Sequence, residues 1–176
     1  LPFASQRSPV FGENVVATSH PLAVSSAIKV LAKGGNAVDA SIAAAITLTV
    51  VEPTMNGIGG DAFAILWDGN KLHGLNSSGC SPSLWTPERF KAYNEMPLRG
   101  WESITVPGQV AGWAALHAKF GKLSFQSLFE DACYYAEKGF HVTPATANLW
   151  ANVPANIKEI PGFLPAFWQN GHPPIC

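Results

Sequence analysis

The chain has 176 residues, of which 47% are hydrophobic and only 13% charged, against about 25% charged in ordinary soluble domains. Its 11 Lys and Arg nearly balance 12 Asp and Glu, so the net charge is −1 and no basic field exists for a nucleic-acid backbone. This composition excludes a disordered polyelectrolyte, fits one folded domain, and points to a surface partly covered by other polypeptide.

Residues 1–13 read as an irregular lead, and Val15-Val16-Ala17 is a short β-prone run. Pro21 suits the first turn of a helix, with Ser19 or His20 as its cap. Ala23, Val24, Ala27, Ile28 and Leu31 recur at helical spacing, while Lys29 and Lys33 fall off that face. Gly34-Gly35 ends the helix, because glycine takes the left-handed conformation without a Cβ penalty. Asn36 predicts the cap of a second helix, and Asp39 complements the positive end of that helix. From Ala37 to Val51 the only charge is Asp39, the mark of a helix buried all round. It ends at Glu52-Pro53, since the residue before proline avoids the helical region. The apolar run Ala40 to Val51 is too short to span a bilayer. Helix, Gly-Gly and a central second helix predict a layered α/β or αββα arrangement rather than a bundle.

Asn56 to Asp61 is a glycine-dense turn, and Ala62 to Trp67 an apolar strand. Asp68-Gly69-Asn70 turns the chain into a returning strand over Lys71 to Asn76. Ser77 to Pro87 is turn-rich, and residues 88–104 carry mixed charge with no period. Pro107-Gly108 precedes a helix from Gln109 to Phe120, stopped by Gly121. Ser124 caps the next, in which Phe125, Leu128, Phe129, Ala132 and Ala136 repeat at amphipathic spacing until Gly139. Thr143-Pro144 opens a further helix toward Trp150, and the tail from Pro154 is rich in proline and aromatics.

No complete catalytic apparatus is legible in these residues. The Asn56–Asp61 glycines lack the P-loop lysine and the GxGxxG spacing, and they lead into a strand, so a close-packed turn is expected rather than a phosphate cradle. Cys80, Cys133 and Cys176 are odd in number with no CxxC spacing, which argues against a disulfide framework or a structural zinc. His20, His73, His117, His141 and His172 form no HxxxH or HExxH pair, so no metal is expected. Cys80 has no evident base and reads as a small buried thiol. His20 reads as satisfied by local backbone, Asp39 as a structural carboxylate, and Trp67, Trp113, Trp150 and Trp168 as core. Asn76-Ser77-Ser78 fits a glycosylation sequon, which matters only in a secreted chain. The odd cysteine count, with no basic region and apolar stretch opening the chain, favours the cytoplasm, or the periplasm or exterior if a leader was removed.

The run Val16-Ala17-Thr18-Ser19-His20-Pro21-Leu22-Ala23, followed by Gly34-Gly35-Asn36-Ala37-Val38-Asp39-Ala40, resembles the γ-glutamyltransferase (γ-glutamyltranspeptidase) family. Val50-Val51-Glu52-Pro53 with Gly57-Ile58-Gly59-Gly60-Asp61 agrees. So do Val106-Pro107-Gly108, Ala111-Gly112-Trp113 and Ala136-Glu137-Lys138-Gly139-Phe140. These blocks come in the family's order over roughly residues 14–168.

The resemblance implies an α+β chain, part of an αββα Ntn-hydrolase sandwich. Residues 1–176 would be the N-terminal portion of a large subunit, a single incomplete domain. The family's precursor cleaves itself, and the new N-terminal Thr of the small subunit is the nucleophile, with its own α-amino group as base. The acyl-enzyme is resolved by water or an acceptor amine. On this resemblance no catalytic residue lies in this chain, no cofactor or metal is needed, and the partner is the remainder of the same precursor.

Ser77, Ser78 and Gly79 are the substrate-binding positions the resemblance implies. In γ-glutamyl-specific members an Arg here grips the substrate carboxylate; with Pro82 aligned, that Arg falls on Ser78. A serine donates one neutral hydrogen bond and cannot pair a charge. The resemblance therefore leans toward amide hydrolysis, as in cephalosporin (glutaryl) acylases or oxamate-type amidohydrolases, over γ-glutamyl transfer. The rival reading is a non-catalytic ligand- or protein-binding module on the same fold.

Overall fold

The structure, a computed structural model, describes residues 9–168 and 170–174. Cys176 and residues 1–8 of the lead lie outside the described residues. Helices α1 (Pro21–Ala32) and α2 (Ala37–Val51) form as the sequence predicts. The cap of α1 is His20, whose Nδ1 accepts from the Leu22 N–H at 3.2 Å; Ser19 instead donates to Glu52 at the far end of α2. Gly34 takes φ +88, and a Cβ on Gly35 would come within 2.9 Å of the Val30 carbonyl oxygen. Only glycines allow so sharp a reversal between two helices packed against each other.

A reciprocal cap opens α2. The Asn36 side chain accepts from the Val38 and Asp39 N–H groups, each at 3.0 Å, and Asp39 accepts from the Asn36 N–H at 3.1 Å. Asp39 is completely buried and also accepts from the Lys122 and Leu123 N–H groups at 3.1 Å. The structural carboxylate expected from the sequence thus fastens α2 to a loop more than eighty positions downstream.

β1 (Ala62–Trp67) and β2 (Leu72–Ser77) form an antiparallel hairpin, with Phe63 opposite Asn76, Ile65 opposite Gly74 and Trp67 opposite Leu72. The returning strand starts at Leu72 and runs through Ser77, which the sequence reading assigned to the turn beyond it. Asp68 fixes the hairpin end by accepting from the Asn70 and Lys71 N–H groups, both at 2.9 Å. His73 bonds its carboxylate at 2.6 Å; that bond first, and the backbone donors second, hold the Asp68 carboxyl far below the ordinary carboxylate range.

Further along lie α3 (Pro87–Phe90), α4 (Gln109–Phe120), α5 (Glu130–Lys138), α6 (Pro144–Ala151), α7 (Ala155–Lys158) and α8 (Phe163–Phe167). Helix α3 and a 3-10 turn at Trp101–Ser103 occupy the stretch that showed no period. The amphipathic run after Ser124 begins as a 3-10 turn, Phe125–Phe129, before becoming α5. Its apolar residues still face inward, because Leu128 and Ala132 are buried against α2. Val15-Val16-Ala17 forms no strand among the described residues: a β-prone segment without a neighbour has no ladder to join.

The core surrounds α2. Ile42, Ala43, Ala44 and Ile46 pack with Ala23, Ala27 and Val30 of α1, with Trp113 of α4, and with Leu128 and Ala132. Lys29 with Asp131 (2.9 Å) and Lys33 with Glu130 bridge α1 to α5 at the surface, each pair adding about 0.2–1 kcal/mol. The hairpin lays one face on α4 and, among the described residues, leaves the other bare. On that bare face Phe63, Ile65, Trp67 and Leu72 are 67%, 80%, 62% and 66% exposed. Trp67 is therefore not core; the two-residue period turns it outward with Phe63 and Ile65. Trp113 and Trp150 are buried as expected and Trp168 partly so.

His20 yields a pH prediction. With Nδ1 accepting a bond, the neutral ring carries its proton on Nε2, which is buried and lacks a partner among the described residues. Burial lowers the His20 pKa below its ordinary value, with Glu52 partly opposing. The unfolded chain then takes up a proton that the folded chain resists. The contribution of His20 to stability is full above about pH 6.5 and is lost as the pH falls below that value. In the full-length protein, His20→Asn, which caps without titrating, is expected to flatten the pH 5–7 limb of thermal stability; an unchanged limb would refute the assignment.

Candidate functional site

Three glycines decide how the segment holding Ser77, Ser78 and Gly79 is placed. Beyond Asn76, residues 77–80 cross residues 105–108 at backbone contact. Gly79 has φ +76, and a Cβ there would lie 1.8 Å from the Val106 carbonyl oxygen. A Cβ on Gly108 would lie 2.3 Å from the Ser77 carbonyl oxygen, and one on Gly112 2.8 Å from the Ser77 Cβ. No larger residue fits at the crossing. That these glycines converge is not legible in the sequence, because they are up to thirty-three positions apart.

Hydrogen bonds stitch the crossing together. The Val106 N–H donates to the Cys80 carbonyl at 2.9 Å, and the Ser77 hydroxyl donates to the Gly108 carbonyl at 2.7 Å. Ser77 therefore turns toward α4 on the helix side of the hairpin. Ser78 is held by both its backbone groups. Its N–H donates to Asn76 Oδ1 at 3.1 Å, and its carbonyl accepts from Thr105 Oγ1 at 3.3 Å. Asn76 is exposed and belongs to the bare face, opposite Phe63. Ser77, Ser78 and Gly79 thus adjoin one another but differ in role: Ser77 is committed to α4, Gly79 permits the crossing, and Ser78 is half-buried at the end of the bare face.

The two crossing segments themselves bring no charge, although Asp61 stands just before Ala62, the partner of Ser77. Residues 75–82 and 104–108 contain no charged side chain. Cys80 is exposed, not the buried thiol expected from the sequence, since the backbone and not the side chain of residue 80 faces the strap. The Asn56–Asp61 turn is also looser than a close-packed one. Gly57 and Gly59 are exposed, with nothing within 4 Å of a Cβ, and only Gly60 is crowded, by Gln109. Gly60 accepts the Gln109 N–H at 3.0 Å, so this turn is pinned to the start of α4 beside the crossing. Among the described residues no group of three His, Cys, Asp or Glu is placed to hold a metal ion, and no helix is long and apolar enough to cross a membrane.

The sequence model of the family described as Gamma-glutamyltranspeptidase matches residues 23–175. The chain is 34% identical over 175 residues to the glutathione hydrolase-like YwrD proenzyme of Bacillus subtilis, covering 96% of this chain and 33% of that protein. It is 35% identical over 175 residues to the oxamate amidohydrolase proenzyme of Klebsiella pneumoniae, covering 95% of this chain and 33% of that protein. The crystal structure of cephalosporin acylase from Bacillus halodurans superposes with a TM-score of 0.76 at 41% identity, over 90% of this chain and 32% of that one. The chain thus spans about a third of the length of these relatives. The α+β arrangement of helices on a hairpin is part of their Ntn-hydrolase fold. With the matched region running through α1, α2, the hairpin, the crossing and the helices that cover them, the chain belongs to the γ-glutamyltranspeptidase family.

Proposed function

We propose that these 176 residues are the N-terminal portion of the large subunit of a self-processing amide hydrolase. They act as one incomplete domain and supply scaffold and one wall of the substrate pocket. The nucleophile, an N-terminal Thr, comes from polypeptide outside this chain. It attacks the amide carbonyl, expels the amine, and forms an acyl-enzyme that water resolves. The partner is the rest of the same precursor. The observation that carries this reading is the bare apolar sheet face in a chain spanning a third of relatives named as proenzymes. A face bearing Phe63, Ile65, Trp67 and Leu72 is covered in a stable protein.

Ser78, Ser77 and Gly79 form the substrate wall in this reading. The absence of Lys and Arg from residues 75–82 and 104–108 supports a preference for acyl groups without an α-carboxylate to pair, and so hydrolysis over γ-glutamyl transfer. The test is the intact mass and amidase activity of the full-length protein. Two fragments divided before a Thr, with turnover of a butyryl or other uncharged acyl amide, are expected. One uncleaved chain without turnover would favour a binding module on the same fold. In the processed enzyme, Ser78→Arg is expected to raise the ratio of γ-glutamyl to butyryl anilide hydrolysis by about tenfold, the worth of one charge-assisted hydrogen bond to the substrate carboxylate. An unchanged ratio would remove Ser78 from the pocket.

A further inference from the structure

Thr105 lies outside the substrate wall, yet it is the one side chain of the 105–108 strap that bonds the Ser78 peptide. The strap's other attachments to the crossing use backbone atoms of Val106 and Gly108. Residue 105 is exposed, so its hydroxyl is not needed to fill a core. Asn76 takes the N–H of the same residue, closing a turn through its side chain. The Ser78 backbone is thus gripped from both ends by two side chains that belong to different segments. Gly79, at φ +76, follows immediately and gives this stretch more backbone freedom than any other residue type would. Asn76 holds the N–H side of Ser78, and the Thr105 hydroxyl is the side-chain contact on its carbonyl.

We propose that Thr105 is a positioning residue: its hydroxyl holds the Ser78 carbonyl and so fixes the direction in which Ser78 faces an amide substrate. This rests on the reading of Ser78 as part of the pocket wall. The Thr105 contact changes how well the acyl group is seated. It makes no contact with the reacting bond, so it acts on substrate binding more than on turnover.

The test uses the processed full-length enzyme with butyryl and γ-glutamyl p-nitroanilides as probes. Thr105→Val keeps the shape and removes the hydroxyl. It is expected to raise KM for the preferred anilide about fivefold with kcat changed less than twofold, the loss of about one neutral hydrogen bond. Thr105→Ser, which keeps the hydroxyl, is expected to restore KM to within twofold. A purely structural role would instead lower the melting temperature of Thr105→Val and leave KM alone, overturning the proposal, as would a KM rise that Thr105→Ser does not rescue. Ser78→Arg separates the two claims. If it shifts the substrate ratio while Thr105→Val leaves KM unchanged, the positioning role falls and the pocket wall stands. If it shifts nothing, the wall itself falls and the positioning role with it.

Discussion

Asp39→Ala is expected to destabilise the full-length protein by about 3–5 kcal/mol, because it strands several backbone donors at once. The Asp39 carboxylate is completely buried and accepts from the N–H groups of Asn36, Lys122 and Leu123. Each donor left without a partner costs about 1–3 kcal/mol, and those near the surface recover water in part. Both the start of α2 and the loop after α4 lose their fastening, and α2 is the element on which the whole core is built. Asp39→Asn keeps an oxygen in place and is expected to cost about half as much, since the bonds become neutral. Equal melting temperatures for Asp39→Ala and wild type would show that the buried carboxylate is dispensable.

Gly79→Ala is the second large effect. Two costs add at this position. An alanine at positive φ pays roughly 1–2 kcal/mol in backbone strain. Its Cβ also lies 1.8 Å from the Val106 carbonyl oxygen, so the crossing strands must part. Together these are expected to exceed about 3 kcal/mol. Gly69 is the control. It has φ +99 but nothing within 4 Å of a Cβ, so Gly69→Ala carries the strain without the collision. Thermal denaturation of the two variants in the full-length protein separates conformational preference from close approach. If both lower the melting temperature equally, the crossing yields more easily than its geometry implies.

Local patterns carried most of the fold into the sequence. The Asn36–Asp39 cap, the uncharged run Ala37 to Val51 and the Gly34-Gly35 break are interactions between residues a few positions apart, and they read correctly. What the sequence concealed was long-range. Alternation made Trp67 look like any strand aromatic; which face of the hairpin meets α4 is settled only by packing. The exposure of Cys80 follows from the crossing with Val106, which no spacing rule encodes. The candidate site was legible only through the family resemblance, as a short segment at the end of β2 and just beyond it. Thr105 and Gly108 were invisible as its neighbours, because they reach it from 27 and 31 positions away. His20 was readable as a locally bonded histidine, but not the unpartnered nitrogen on its other side.

The apolar side of the hairpin has a consequence for biosynthesis. Translation delivers Phe63, Ile65, Trp67 and Leu72 well before any later strands of the proposed precursor that cover them. For that interval the nascent chain carries an adhesive strip with open strand edges, the kind of surface that chaperones capture and that neighbouring chains on a polysome stick to. Yield of the whole protein is then governed by how quickly the ribosome finishes, and slowing elongation downstream of this hairpin should push more of the product into inclusion bodies.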